Sequence, residues 1–217
     1  MAVSGLVMVL YLLAHMYGNL KVFAGRADFD GYAAHLRTMG EPFLPYAGGL
    51  WIVLVVLLAS VLVHIYAAVT VWLRARAATG GRGGWRYESS SGRRGVQRSY
   101  ASFTMRWGGV VIALFVVFHV LHLTWNTIHP GGASDSPYER VVGGFQVWWV
   151  TLSYLLALLA LGFHLRHGFW SAFADLGANT SVTRRRRLNV AATVVALLIT
   201  LGFAAPPLAI LFGWVER

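Results

Sequence analysis

Histidine is the residue type in this chain best suited to carry chemistry. Five histidines interrupt long apolar stretches of the sequence: His15, His64, His119, His122 and His164. Imidazole is both a metal ligand and a proton carrier, and ionisable side chains among apolar residues are costly and usually functional. One such histidine is equally well explained by a hydrogen bond inside a helix bundle. Histidines in four separate apolar stretches favour a shared site.

The absence of cysteine narrows what that site can hold. The sequence has no cysteine, which excludes a disulfide, a cysteine-ligated iron–sulfur cluster and a covalently attached c-type haem. Any redox cofactor is therefore held by histidine, methionine or backbone groups.

The apolar stretches themselves predict transmembrane helices. Hydrophobic residues make up 57% of the chain and charged residues only 12%, against about 25% charged residues in an average soluble domain. Crossing a bilayer core takes about 20 helical residues. We predict five helices, at residues 3–23, 46–73, 107–128, 145–173 and 188–214, with Pro206 and Pro207 bending or ending the last. The predicted fold is an all-α integral membrane protein with a single domain over residues 1–217.

The first stretch is predicted to be a transmembrane helix rather than a signal peptide. It has no basic segment in front of it, and Tyr11, His15 and Asn19 interrupt its apolar run.

Arginine predicts the orientation of the helices. An Arg/Gly/Ser-rich linker at residues 75–106 joins the second and third helices, and Arg184–Arg187 lie between the fourth and fifth. Lys and Arg collect in short cytoplasmic segments, so the N-terminus is predicted inside and the C-terminus outside. The net charge of +10 is then explained by topology and anionic lipid, without nucleic acid. The inner arginines are also candidates for docking an acidic soluble partner.

Helix direction and depth sort the histidines into two pairs. Each of these histidines lies on the C-terminal side of its helix centre, and successive helices run in opposite directions. His15 and His119 are therefore predicted toward the outer face, and His64 and His164 toward the inner face. Bis-histidine ligation of haem takes one histidine from each of two facing helices at matched depth. This pattern predicts two b-type haems in a four-helix core, with His167 near the inner boundary as a candidate for a propionate contact.

The third helix offers two histidines, and spacing favours one of them. The same ten-residue interval separates Gly5 from His15 and Gly109 from His119. A small residue about three turns from a ligand lets a macrocycle or a neighbouring helix approach the backbone. His119 is therefore the predicted ligand, and His122 is the fallback.

Four segments carry a resemblance to a known family. They are SGLVMVLYLLAHMYGNL around His15, HIYAAVTVWLRAR from His64, MRWGGVVIALFVVFHVLHLTW around His119 and GFHLRHGFWSAFADLG around His164. Together they resemble the cytochrome b (membrane anchor, b558-type) subunit of succinate dehydrogenase and fumarate reductase, in its single-chain, five-helix, two-haem form. The most specific feature is the family's histidine followed by two glycines, here His164, Gly168 and Gly177.

The resemblance implies a proximal haem between His64 and His164 and a distal haem between His15 and His119, the same pairs that helix direction gives. It implies the membrane anchor and electron-transfer subunit of a succinate:quinone oxidoreductase, which passes electrons from an iron–sulfur subunit through two b haems to a quinone, with menaquinone expected. It also implies a flavoprotein subunit with FAD beside the iron–sulfur subunit, on the cytoplasmic side of a bacterial inner membrane. Whether the complex forms a higher oligomer stays open, as does the choice between succinate oxidation and fumarate reduction.

The quinone region is marked less sharply. His35, Arg37 and Glu41 lie in the predicted first outer loop, near the expected distal haem, where a histidine or carboxylate would supply quinone protons. They are also explained as ordinary polar loop residues. Some two-haem relatives place a glutamate two residues before the fourth-helix histidine as part of a transmembrane proton path, whereas this chain has Gly162. The resemblance therefore does not extend to such a path or to coupling with the membrane potential.

Two other functions fit histidine-bearing helices. A cytochrome b subunit of formate dehydrogenase or hydrogenase would share them and differ in its partner proteins. A haem-free transporter would use the histidines as a proton relay. The sequence has no internal inverted repeat, no intramembrane carboxylate and no Gly/Pro-broken helix pair before the final prolines, which disfavours the transporter.

Overall fold

The computed structural model describes residues 1–78 and 96–216. Every regular element in this part of the chain is helical. The helices are α1 (Ala2–Leu20), α2 (Arg26–Thr38), α3 (Gly48–Ala78), α4 (Val96–His119), α5 (Pro137–Gln146), α6 (Trp148–Asp175) and α7 (Val182–Leu211). A 3-10 turn at Lys21–Ala24 follows α1, and a π turn at Val120–Thr124 follows α4.

Among the described residues, five helical segments are long and apolar enough to cross a membrane. They are Ala2–Ala24, Gly48–Arg74, Met105–Thr124, Trp148–Asp175 and Val182–Leu211. The prediction of an all-α integral membrane protein with five transmembrane helices is confirmed.

The predicted bounds of the linker, residues 75–106, were wrong at both ends. Helix α3 continues to Ala78, and α4 begins at Val96 rather than at residue 107. Once a helix is nucleated, each further residue adds a backbone hydrogen bond, so a helix extends past its apolar span without needing apolar side chains. The rest of the predicted linker, residues 79–95, lies outside the described residues.

Three other predicted bounds also differ from the structure. The third apolar helix, predicted at 107–128, leaves α geometry after His119 and ends with the π turn. The fourth, predicted to begin at residue 145, begins at Trp148 because extended backbone at Val147 separates it from α5. The last, predicted at 188–214, runs over Val182–Leu211 because Ser181 Oγ accepts a hydrogen bond from Arg184 N and caps its start.

The last helix also continues through its two prolines. Pro206 and Pro207 are buried inside α7, which does not end until Leu211. A proline removes one backbone donor, and packing of the surrounding helix turns compensates for that loss.

Helix α6 is the centre of the bundle. It packs on α1, α4, α5 and α7, whereas α3 packs on α1 and α2. Within the described residues, α1 and α4 do not pack along their lengths, and neither do α3 and α6. Helices α3 and α4 do not pack along their lengths either in this part of the chain, so the contacts run in the order α3, α1, α6 and α4, with α1 across from α4 and α3 across from α6.

Helices α2 and α5 form a cap at one end of the bundle. Asp30 of α2 accepts a hydrogen bond from Ser136 Oγ at 2.6 Å and another from Tyr138 N at 2.9 Å. Arg26 Nη1 pairs with Glu139 Oε1 at 2.6 Å. These contacts join the first connection of the chain to the start of α5. The cap therefore covers the end of the bundle at which α1 and α4 end.

Candidate functional site

His15 and His119 face each other across the bundle near the cap. Their ring centroids are 5.8 Å apart, with the rings nearly perpendicular at 88°. Tyr11 stacks on His15 at 5.4 Å, and Phe115 lies 5.8 Å from His119. The first predicted pair of side chains is therefore adjacent, and aromatic rings from the same two helices pack on it.

His64 and His164 face each other toward the opposite end. Their ring centroids are 6.3 Å apart at an angle of 55°. Ser4 Oγ lies 3.3 Å from His64 Nδ1, which puts this pair beside the start of α1. The buried His164 Nδ1 has no hydrogen-bond partner in the protein.

Both pairs have the spacing that a shared iron requires. Two imidazoles bound to one metal ion through nitrogens at roughly 2 Å each have ring centres about 6 Å apart. Among the described residues, no group of three or more histidine, cysteine or acidic side chains could hold a metal ion. Paired imidazoles are the ligands that the protein supplies to b-type haem, so the donor set of each pair is compatible with that group.

The two glycines singled out by spacing lie against the other histidine pair. A Cβ on Gly5 would lie 3.6 Å from His64 Cε1, and one on Gly109 would lie 3.8 Å from His164 Cε1. Ten helical residues span roughly 15 Å. Helices α1 and α4 therefore each present a glycine to the His64–His164 pair and a histidine to the His15–His119 pair.

The His122 side chain is buried, and its ring lies against helix α5. It is only 2% exposed, and its ring stacks on Phe118 at 5.5 Å and 22°. A Cβ on Gly144 would lie 2.5 Å from His122 Nε2, so that nitrogen abuts the backbone of α5. This geometry favours His119 over the fallback His122 as the partner of His15.

Tyr154 is a site residue that the sequence interpretation missed. Its hydroxyl lies 2.9 Å from His122 Nδ1 and 3.3 Å from His119 Nδ1. It precedes His164 on α6 by the same ten residues that separate Gly5 from His15. That interval, together with a phenol in an apolar helix, is the signal that would have found it.

The predicted quinone residues lie away from the histidine pairs. His35 and Arg37 belong to helix α2, so the prediction of a loop there was wrong. An acidic residue in its first turn and basic residues in its last stabilise this helix. His35 and Glu41 are exposed, and Arg37 Nη1 donates to Ala33 O at 2.7 Å. No hydrogen bond or ring contact within the described residues joins these three side chains to either pair.

A cluster of polar residues and glycines lies beside His122. It comprises Asn126, His129, Gly131, Gly132 and Arg140. The Oδ1 atom of Asn126 and the Nε atom of Arg140 are buried without a hydrogen-bond partner. The remaining predicted histidine, His167, is half-buried on α6.

Comparison with known proteins identifies the family. A family model described as succinate dehydrogenase/fumarate reductase transmembrane subunit matches residues 92–203, more than half of the chain. The chain belongs to this family. The matched segment contains His119, Tyr154 and His164. Neither the curated proteins nor the solved structures gave a match.

Membership in this family confirms the predicted family, while the b558-type, two-haem form stays a prediction. The protein is a multi-pass membrane subunit of a succinate dehydrogenase or fumarate reductase complex, an oxidoreductase, and it associates with the other subunits of that complex. The match favours this family over the formate dehydrogenase, hydrogenase and transporter alternatives.

Proposed function

We propose that this chain is the haem-bearing anchor and electron-transfer subunit of a succinate:quinone oxidoreductase. One b haem would lie between His64 and His164, and the second between His15 and His119. The observation that carries the proposal is that each pair spans a diagonal of the same four-helix arrangement, with ring centroids 6.3 Å and 5.8 Å apart. In the described part of the chain, helices on each diagonal do not pack along their lengths, so the histidine rings supply the contacts across each diagonal.

The chain's own residues have distinct roles in this proposal. Haem b supplies a one-electron redox centre when it is bound. The four imidazoles act as axial ligands, and Gly5 and Gly109 keep the backbone close to the His64–His164 pair without a side chain in the way. Apolar neighbours exclude water from both pairs, which raises the strength of every local electrostatic interaction.

The arginine distribution supports a direction for the complex. Arg184–Arg187 are exposed at the start of α7, just after the connection that follows the helix carrying His164. With this side cytoplasmic, the His64–His164 pair is the one nearer the iron–sulfur and flavoprotein subunits. The proposed location is the inner membrane of a bacterium. The His15–His119 pair then lies toward the cap and the quinone, with menaquinone proposed.

The cap also contains the candidates for the quinone region. His35 and Arg37 lie on α2, which packs on α3 and α5, and Glu41 follows that helix. We keep these three residues as candidates for quinone protonation. His167 remains the candidate for a propionate contact beside His164.

Haem content tests the proposal directly. The intact complex, purified in detergent, is expected to show about two b haems per copy of this chain by pyridine haemochromogen assay, and succinate is expected to reduce them. His64→Ala is expected to remove one haem and to keep the other, because only one pair loses a ligand. His129→Ala, at an exposed position, is the matched control and is expected to keep both. Wild-type complex without haem would contradict the proposal.

A further inference from the structure

We propose that Tyr154 is the positioning residue of the His15–His119 pair. Its hydroxyl accepts a hydrogen bond from His119 Nδ1 and donates one to His122 Nδ1, which fixes the orientation of the His119 ring and sets the redox potential at that site. The inference rests on the proposed function, because it assumes that His119 binds haem iron through Nε2.

The two hydrogen bonds converge on one buried oxygen. Tyr154 Oη lies 2.9 Å from His122 Nδ1 and 3.3 Å from His119 Nδ1. The tyrosine is 5% exposed, so water does not compete for its hydroxyl. A buried hydroxyl of this kind needs protein partners, and the two imidazoles are the partners it has.

The protons on these three groups are consistent with one arrangement. A histidine that binds a metal through Nε2 carries its proton on Nδ1 and donates it to a neighbouring acceptor. A phenol has one proton and can also accept. Tyr154 therefore accepts from His119 and uses its own proton toward His122, whose Nδ1 is then unprotonated. His122 gains a defined role, which is to orient Tyr154.

Aromatic packing holds the phenol in place. Phe115 and Phe145 each meet the Tyr154 ring edge-on, with centroids 4.8 Å away at 89° and 86°. These rings come from α4 and α5, on either side of α6. The hydroxyl position is thus set by three helices, and Tyr154→Phe removes the oxygen without emptying the packed space.

The second pair has a different partner, which provides a matched comparison. Ser4 Oγ lies 3.3 Å from His64 Nδ1 and donates to Met1 O at 3.0 Å. With its proton on Met1, Ser4 accepts from His64. Tyr154 and Ser4 therefore perform the same task on different pairs, and each variant serves as the control for the other.

The direction of the effect follows from ligand basicity. A hydrogen bond donated from Nδ1 makes an imidazole a stronger electron donor to its metal, which stabilises ferric iron. Loss of the Tyr154 oxygen is therefore expected to favour the ferrous form at the His15–His119 site. The expected change in the oxidised-to-reduced ratio is severalfold to tenfold, and tenfold corresponds to about 59 mV for a one-electron couple.

The experiment is a potentiometric titration of the purified complex, followed by optical and EPR spectroscopy. The two haems are first assigned from His15→Ala and His64→Ala. Tyr154→Phe is expected to raise the midpoint potential and shift the EPR signal of the His15–His119 haem alone. Ser4→Ala is expected to do the same to the His64–His164 haem alone.

The outcomes separate this inference from the function on which it rests. Wild-type complex without haem would contradict the function. Two haems with unchanged potentials and EPR signals in Tyr154→Phe would overturn the inference alone. If Tyr154→Phe loses haem, loss confined to the His15–His119 site supports the inference, whereas loss from the His64–His164 site overturns it.

Discussion

His119 and His122 differ in what surrounds the nitrogen that would bind iron. His119 is the last residue of α4, and its ring faces His15. His122 lies in the π turn, with its Nε2 against the backbone of Gly144 and its Nδ1 on Tyr154. Nδ1 of His122 is thus paired with Tyr154 and its Nε2 lies against the backbone of α5, whereas the ring of His119 faces another imidazole. π turns are often found at functional sites. Here His119 lies before the turn and faces His15, whereas His122 lies in the turn and contacts Tyr154 and α5.

Alanine substitution distinguishes those tasks. His119→Ala is expected to lower the haem content of the complex from two to one, because it removes an axial ligand. His122→Ala is expected to keep both haems, since it removes only the group that orients Tyr154. Haem content by pyridine haemochromogen assay checks both variants. Loss of a haem in His122→Ala with retention in His119→Ala would reverse the assignment.

The pairs were predictable from the sequence, and the ten-residue interval marks Tyr154 as a candidate, but the contact of Tyr154 with His119 was not predictable. The length of each apolar stretch predicts a transmembrane helix, and successive helices run in opposite directions. Together these two facts predict how deep each histidine lies in the membrane. Depth alone pairs His15 with His119 and His64 with His164. The contact of Tyr154 depends on how α4 and α6 are rotated about their axes, which side-chain packing across the bundle decides.

At the scale of helices, α6 and α7 approach each other closely at Gly162. A Cβ on Gly162 would lie 2.7 Å from Thr200 Oγ1, so any side chain at this position has to displace a β-branched residue. The family resemblance implies that some two-haem relatives carry a glutamate at this position. Close helix packing explains why glycine is present here and leaves no space for that carboxylate.

Gly162→Ala is therefore expected to destabilise the protein by roughly 1–3 kcal/mol, the usual cost of overpacking. Gly168→Ala is the matched control on the same helix, because a Cβ there meets nothing within 4 Å, and it is expected to be neutral or stabilising. Thr200→Ala is expected to restore the stability of Gly162→Ala. Thermal unfolding in detergent measures all three. Equal melting temperatures for the two glycine variants would contradict the close packing.

The packing of α2 on α5 depends more on the hydrogen bonds of Asp30 than on the ion pair between Arg26 and Glu139. The carboxylate of Asp30 accepts hydrogen bonds from Ser136 Oγ and Tyr138 N, whereas Arg26, which pairs with Glu139, is 60% exposed. Exposed ion pairs contribute about 0–1 kcal/mol. Loss of a charged acceptor leaves partly buried donors unpaired, which costs roughly 1–3 kcal/mol.

Asp30→Ala is expected to loosen α2 from α5, and Glu139→Gln is expected to have little effect. Hydrogen–deuterium exchange of the α2 amides, followed by mass spectrometry, measures the difference. Faster exchange over Arg26–Thr38 in Asp30→Ala than in Glu139→Gln is the expected result. The reverse order would mean that the ion pair holds the cap.

The cap helices were the elements that the sequence did not predict. The long helices were predictable because each needs an apolar run of membrane length. Helix α2 is polar and α5 contains two glycines, so neither has that signal. Both depend on tertiary contacts such as those of Asp30. Their place on the bundle follows from packing rather than from local pattern.

For the molecule as a whole, the direction of the chain decides which pair faces which partner. The arginine distribution predicts that the connection between α6 and α7 is cytoplasmic, and that the connection between α2 and α3 lies on the other side. If so, the His64–His164 pair is the first that an electron from the soluble subunits meets. The opposite direction would put the His15–His119 pair and the cap next to those subunits.

Cysteine labelling tests the direction cleanly because the chain has no cysteine of its own. Phe43 is 94% exposed after α2, and Val182 is 82% exposed at the start of α7. In intact spheroplasts, a membrane-impermeant maleimide is expected to label Phe43→Cys and not Val182→Cys. Both variants are expected to react after solubilisation in SDS, which controls for expression. Labelling of Val182→Cys alone in intact spheroplasts would invert the chain and exchange the roles proposed for the two haem sites, while leaving the fold and the histidine pairs unchanged.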